Sequence, residues 1–181
     1  MLGALFLCEE INKKNKKVID KHLQRSENIV VQRDKGERTM EFIYSDGGRS
    51  KYFKAQDVGD CGVRSICNAT GKDYKEVYNA INELAKHERR GKRKKSISNA
   101  RNGVYVETLA KYLSSIGWAW HATMEIGSGC QTHLDEDELP EGTLIVRVSR
   151  HFTCVKDGVI YDTFDPSRGG TRCVYGYWSK D

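Results

Sequence analysis

Cys61 stands where a cysteine can act as a nucleophile. It opens a stretch of helical character over residues 61–69, with Asp60 placed to cap the start and Gly71 just past the end. At the first turn of a helix the backbone N–H groups lack intrahelical partners and the dipole is positive, which favours a thiolate. Gln56, five residues upstream, has a side-chain amide able to donate to an oxyanion. A buried structural cysteine fits the same segment, so catalysis depends on a base elsewhere.

His151 is the candidate base. It begins a strand-like run, and Asp157 and Gly158 then predict a two-residue hairpin turn. The return strand carries two carboxylates, Asp162 and Asp165. A histidine that is oriented by a carboxylate on a neighbouring strand is the arrangement used in nucleophilic catalysis. A histidine at the start of a strand is by itself more often structural, but the downstream aspartates favour a catalytic role.

The residue pattern leaves the choice between the two aspartates open. A tight turn at residues 157–158 places Thr153 opposite Asp162, and alternation along the strand then puts Asp162 on the same face as His151. Asp165 falls on the other face unless a bulge near Pro166 turns it back. Simple strand geometry therefore favours Asp162.

The order and local context of these residues resemble the papain-like cysteine peptidases. The similarity is to the compact bacterial and phage members and to the Josephin type. In that superfamily a glutamine precedes a helix-capping cysteine, a histidine begins a later strand, and an Asp or Asn follows one hairpin. The matching positions are Gln56, Cys61, His151 and Asp165. The Asp165–Pro166 pair also resembles the Asp-Pro of bacteriocin-processing peptidases, and the likeness covers about residues 52–178.

The resemblance implies both a fold and a reaction. The fold is α+β and papain-like: an N-terminal helical half, which holds the nucleophile helix, packs on a C-terminal antiparallel sheet. The reaction is hydrolysis of a peptide or isopeptide bond by a Cys-His-Asp mechanism through a thioester acyl-enzyme. The resemblance also implies Gln56 as an oxyanion donor and Asp165, rather than Asp162, as the third catalytic residue. Acyl and amide transferases use the same scaffold, so transfer on the same dyad is an alternative.

The predicted elements follow an α+β order, with helices first and strands later. Apolar spacing predicts a helix from Asp73 to Ala85 and another over 106–116. Strands are predicted over 118–124, 143–149, 151–156, 159–165 and 172–178. Residues 1–50 are predicted to form an appendage, with a lysine-rich helix over 10–24 and an antiparallel pair over 28–32 and 39–44. The catalytic domain then spans residues 51–181.

Residues 86–101, the basic segment, form a second conspicuous feature. Eight cations face one carboxylate there, a local charge of +7 in a chain whose formal net charge is +5. The cations are Lys86, Arg89, Arg90, Lys92, Arg93, Lys94, Lys95 and Arg101. A solvated loop is the simplest interpretation. The alternative is binding of nucleic acid or an acidic partner, which would also suit a non-catalytic binding protein.

Composition bounds these possibilities. The 181 residues suit one domain, 38% are hydrophobic and 30% are charged, and no apolar run reaches the length of a membrane span. The first eight residues lack a basic start and meet Glu9 and Glu10 at once, unlike a signal peptide. We therefore expect a soluble, cytoplasmic protein that acts on a protein or peptide substrate and has no membrane partner.

The six cysteines are expected to be free thiols, because a chain of this size needs no staples and the cytosol is reducing. Cys130 and His133 have the spacing of metal ligands, and three more residues could complete a set: His121, Cys154 and Cys173. A single Cys-x-x-His pair is a weak signal, since structural zinc sites use two such pairs. Glycine-rich phosphate-binding motifs are also missing from the sequence. The prediction is therefore no cofactor and no metal.

Overall fold

The computed structural model describes residues 40–54, 58–90, 96–125 and 127–180. They belong to one compact unit, Arg38–Asp181. The described helices are α1, α2 and α3, with a short 3-10 turn at Arg49–Lys51 ahead of them: α1 is Cys61–Thr70, α2 is Tyr74–Lys86 and α3 is Val106–Ser115. The described strands are β1 (Glu41–Tyr44), β2 (Ala119–Ala122), β3 (Thr143–Val148), β4 (His151–Lys156), β5 (Val159–Asp162) and β6 (Val174–Ser179). The predicted α+β class is confirmed, and each of these helices was predicted within a few residues.

The six described strands form one mixed sheet in the order β1-β5-β4-β3-β6-β2. The central pairs are antiparallel, as predicted, but β1 lies parallel to β5 at one edge, with Phe42 opposite Ile160. The predicted partner of β1, residues 28–32, lies outside the described residues. β1 belongs to the sheet, and the compact unit begins at Arg38, ahead of residue 51, where the catalytic domain was predicted to start.

Local signals explain where the helices around the site begin and end. Asp73 caps α2: its carboxylate accepts hydrogen bonds from the backbone N–H of Lys75 at 2.9 Å and of Glu76 at 3.2 Å. Gly71 ends α1 in the left-handed conformation, with φ of 71°. Asp60 differs from the expectation, because its side chain makes no cap hydrogen bond to α1. The reason is that its carboxylate is engaged by other buried side chains.

Two apolar clusters pack against the sheet. The first joins the three helices to the sheet through buried residues of the strands, among them Ile145, Phe152 and Trp178. The second contains Leu144 and Val146, which alternate with Ile145 along β3 and so face the opposite side. The helix that bears Cys61 is thus fixed on the sheet next to β4. No helix among the described residues is long and apolar enough to cross a membrane.

The expectation of free thiols is wrong for two cysteines. Cys130 and Cys173 form a disulfide, with their Cα atoms 5.7 Å apart and a sequence separation of 43 residues. An isolated bridge between His133 and Cys173 brings the two chain segments together. Cys61, Cys67 and Cys154 are free, and Cys8 lies outside the described residues.

Candidate active site

Cys61 is the first residue of α1 and is half-buried, whereas the other two free thiols are buried in the core. Two glycines allow the start of this helix to approach its neighbours closely. A Cβ added to Gly59 would lie 2.7 Å from the carbonyl oxygen of Asn102, and one on Gly62 would lie 3.0 Å from a methyl group of Leu109. The start of α1 therefore packs closely against residues 102–104 and the first turn of α3.

His151 begins β4, with its imidazole between Cys61 and Asp162. Its Nε2 lies 2.7 Å from Oδ2 of Asp162, and its side chain is 11% exposed. Cys61 also interacts with the ring, because it raises the pKa of His151. Nε2 is engaged by the carboxylate, so Nδ1 is the ring nitrogen available to a further partner. The ring of Phe164 lies 4.9 Å from the imidazole, centroid to centroid, and covers part of it.

The pKa of His151 reflects these contacts. Burial lowers it, but the hydrogen bond to Asp162, the interactions with Cys61 and the charge of Asp162 outweigh burial and raise the pKa to about 9. The imidazolium form is therefore favoured at neutral pH. An imidazolium beside a half-buried sulfur at a helix start is the environment in which a cysteine becomes a strong nucleophile.

Asp162, and not Asp165, is the carboxylate that bonds to His151. The hairpin is regular: Lys156 pairs with Val159, and Cys154 with Tyr161, which sets Thr153 opposite Asp162 on the face of His151. The described pairs of this hairpin contain no β-bulge of the kind that would turn Asp165 toward the face of His151. The exposed Asp165 instead accepts a hydrogen bond from the backbone N–H of Ser167 at 2.8 Å. The register of the strands thus places Asp162, the alternative to Asp165, beside His151.

Asp162 is 3% exposed and remains ionised because several groups satisfy its carboxylate. Burial raises the pKa of this carboxyl. The opposing effects are larger, and the net pKa lies below the usual value: they are the hydrogen bond and charge of His151, the charge of Arg64 and the backbone N–H of Thr163. Nη1 of Arg64 is 2.9 Å from Oδ1 of Asp162, and the N–H of Thr163 is 2.7 Å from the same oxygen. One carboxylate oxygen therefore serves the histidine and the other is held by α1 and the backbone.

Comparison of the chain with protein-family models, with curated proteins and with solved structures gives no match.

Sequence reasoning missed Arg64, which is 5% exposed and bonds to both Asp60 and Asp162. An arginine in a short helix is ordinarily placed on the solvated face. A signal was nevertheless available, since Arg64 lies between Val63 and Ile66 on the buried side of the helix and four residues after Asp60. That spacing is typical of an ion pair within one helical turn.

The remaining predicted groups lie apart from this constellation or outside the described residues. Gln56 is in the latter group, as are residues 91–95 of the basic segment. The one carboxylate of that segment, on Glu88, is used internally: it accepts a hydrogen bond from the backbone N–H of Ser98 at 3.0 Å and another from the hydroxyl of Thr108. Cys130 and Cys173, considered above as metal ligands, are bonded to each other. Among the described residues, no three His, Cys, Asp or Glu side chains cluster as metal ligands.

A polar cleft of about 430 Å³ lies away from Cys61, at the other end of α1. It is lined by Cys67, Asn68 and Gly71 of that end and by Lys156 and Tyr161 of the hairpin, among others. A helix of ten residues is about 15 Å long, so this cleft does not open onto the sulfur of Cys61. We assign the chemistry to the Cys61 end, because the linked titratable groups are there.

Proposed function

We propose that this chain is a papain-like cysteine hydrolase that cleaves a peptide or isopeptide bond, with Cys61 as nucleophile, His151 as base and Asp162 as the orienting carboxylate. The observation that carries the proposal is the position of His151, which bonds to Asp162 through Nε2 at 2.7 Å and whose pKa is raised by Cys61 as well as by Asp162. The nucleophile helix packed beside β4 supports the papain-like assignment. In this proposal Asp162, and not the Asp165 that the resemblance implies, orients the histidine. The roles of nucleophile, base and orienting carboxylate are otherwise those of the family.

Each group has a defined role in the reaction. The thiolate of Cys61 attacks the carbonyl carbon, and a C–S bond forms as the carbonyl electrons move to oxygen. The imidazolium of His151 then gives its proton to the departing amine, and a thioester remains on the sulfur. His151 next takes a proton from water, whose oxygen attacks the thioester. The carboxylic acid leaves, and the thiolate is restored beside the imidazolium.

The oxyanion needs donors at the start of α1. The backbone N–H of Cys61 is one candidate, because it belongs to the first turn of the helix. The side-chain amide of Gln56 is the second, by the resemblance. Replacing Gln56 with Ala should then lower kcat about a hundredfold or more, the usual cost of losing one oxyanion donor, with little effect on alkylation of Cys61.

The direct test needs no knowledge of the natural substrate. The full chain is incubated with a peptide mixture from a digested proteome, and new termini are read by mass spectrometry. A parallel incubation contains hydroxylamine, which intercepts a thioester and yields a hydroxamate. Wild-type protein should produce cleaved peptides, and Cys61→Ala should produce none. Amide products formed with an added amine, in preference to free acids, would indicate transfer on the same dyad.

A further inference from the structure

A buried chain of alternating charges runs back from the catalytic histidine. Asp162 bonds to His151 on one side and to Nη1 of Arg64 on the other, and Nε of Arg64 lies 2.9 Å from Asp60. Asp60 is fully buried, and its second oxygen accepts from the hydroxyl of Tyr74 at 2.7 Å. Every link in this chain is between side chains with little access to water.

The geometry of the guanidinium suits it for this position. Its N–H groups form a rigid planar fork, so two carboxylates bonded to different edges are held at a fixed distance from each other. Arg64 uses Nε for Asp60, which precedes α1, and Nη1 for Asp162, which ends β5. Lysine has one compact ammonium group on a flexible stem and cannot span both carboxylates in the same way.

We propose that Arg64 is the positioning residue of the site, which acts through Asp162 to keep the carboxylate ionised and aligned with Nε2 of His151. The proposal rests on the cysteine-hydrolase function above. Cys61 and Arg64 lie one turn apart on α1, so a single rigid helix positions both the sulfur and, through Arg64, the carboxylate that orients the base. Asp60 is the anchor that fixes the guanidinium.

The first variant is Arg64→Lys, which keeps the positive charge and loses the fork. We expect kcat for peptide cleavage to fall by about tenfold to a hundredfold, the cost of a misaligned catalytic group. KM should change less than about twofold, since Arg64 is buried and presents little surface to a substrate. Asp60→Asn is the second variant, which keeps the shape of the anchor and removes its charge. It should lower kcat in the same direction by a smaller factor. Circular dichroism and the melting temperature establish that each variant is folded.

The matched control is Asn68→Ala. Asn68 lies one helical turn beyond Arg64, and its amide donates to the backbone oxygen of Tyr161 at 3.0 Å, so it too joins α1 to β5. The described hydrogen bonds of its side chain are to Tyr161 and Ser45, and not to Asp162. This variant should keep kcat near the wild-type value. If Asn68→Ala lowers kcat as much as Arg64→Lys, general docking of the helix on the strand explains both results and the proposal is overturned.

A double-variant cycle tests whether Arg64 acts through Asp162. In the Asp162→Asn background, adding Arg64→Lys should change kcat by less than about twofold, because the group that Arg64 positions has already lost its charge. If the fold-losses in kcat of the two single variants multiply in the double variant, Arg64 does not act through Asp162 and the proposal is refuted.

A readout without substrate separates this proposal from the function on which it rests. The rate at which iodoacetamide alkylates Cys61 is measured from pH 5 to 9 in each folded variant. The groups that face Asp162 are His151 and Cys154 from β4 and Arg64 from α1. Loss of the fork should raise the pKa of Asp162 and weaken the imidazolium, so alkylation near pH 6 should slow in both Arg64→Lys and Asp162→Asn. Wild-type protein that cleaves no peptide disproves the function, whereas equal alkylation profiles in wild type and Arg64→Lys disprove the positioning role.

Discussion

Replacing Asp162 with alanine should remove most of the turnover, while the same change at Asp165 should leave turnover nearly intact. Asp162 bonds to Nε2 of His151 at 2.7 Å and is 3% exposed. Asp165 is exposed, and its described hydrogen bond is to the backbone of Ser167. The two aspartates lie three residues apart and carry the same charge, so each serves as the control for the other.

The size of the effect follows from the raised pKa of His151. The move from 6.5 to about 9 corresponds to roughly 3 kcal/mol in favour of the imidazolium. Loss of Asp162 removes a hydrogen bond and a negative charge from the imidazolium and so lowers the pKa of His151. Loss of ring orientation and tautomer adds to this, which brings the expected loss in kcat to at least about a hundredfold.

The pH profile gives a second, independent reading of the same change. His151 must be protonated to donate to the leaving amine, so activity should persist up to about pH 9 and fall above it. Asp162→Ala lowers the pKa of His151, and the alkaline limb should therefore move to lower pH. Turnover is measured from pH 5 to 10 on a peptide that the wild-type protein cleaves. If Asp165→Ala is inactive and Asp162→Ala is active, the assignment based on the strand register is refuted, and the resemblance to the family gives the better one.

Three further predictions concern other parts of the chain. Iodoacetamide should modify Cys61 faster than Cys67 and Cys154 at neutral pH, since burial raises the pKa of both of those thiols to about 12; equal labelling in the folded protein would count against Cys61 as nucleophile. If the basic segment binds an anionic partner, its affinity for a DNA or RNA oligonucleotide should fall steeply as the salt concentration rises. A triple serine variant should then bind more weakly, with kcat unchanged. Binding that does not depend on salt concentration would support the interpretation as a solvated loop. The residues changed in that variant are Arg93, Lys94 and Lys95. Cys130→Ser should lower the free energy of unfolding by up to about 4 kcal/mol, the entropic value for a loop of this length, and an unchanged melting temperature would show that the disulfide does not stabilise the fold.

Features that depend on near neighbours were predictable from sequence. Apolar spacing gave the helices, and Gly71 and Asp73 marked a helix end and a helix start. The hairpin was equally local: Asp157 and Gly158 adopt φ of 47° and 78°, which is the left-handed geometry that a tight two-residue turn requires. From that turn the facing of His151 and Asp162 follows by alternation alone.

Long-range pairings were not predictable, because no local pattern encodes them. β1 lies against β5, which is more than a hundred residues away in sequence, and a short edge strand carries no mark of its partner. Arg64 and Asp162 are 98 residues apart, and only the fold reveals that one neutralises the other. The disulfide has the same character, since the spacing of Cys130 and Cys173 does not distinguish a bonded pair from two free thiols.

Asp162 and Asp165 show how two carboxylates three residues apart come to have different partners. The Asp165–Pro166 pair builds a turn: Asp165 accepts the N–H of Ser167, and the proline and the serine that follow are buried. A carboxylate engaged in its own turn contributes to the path of the loop and is not available to a neighbouring strand. Asp162 instead ends β5 opposite β4, where strand pairing brings it to His151. The carboxylate that meets His151 is therefore decided by the register of the hairpin, which a list of residue types in order does not contain.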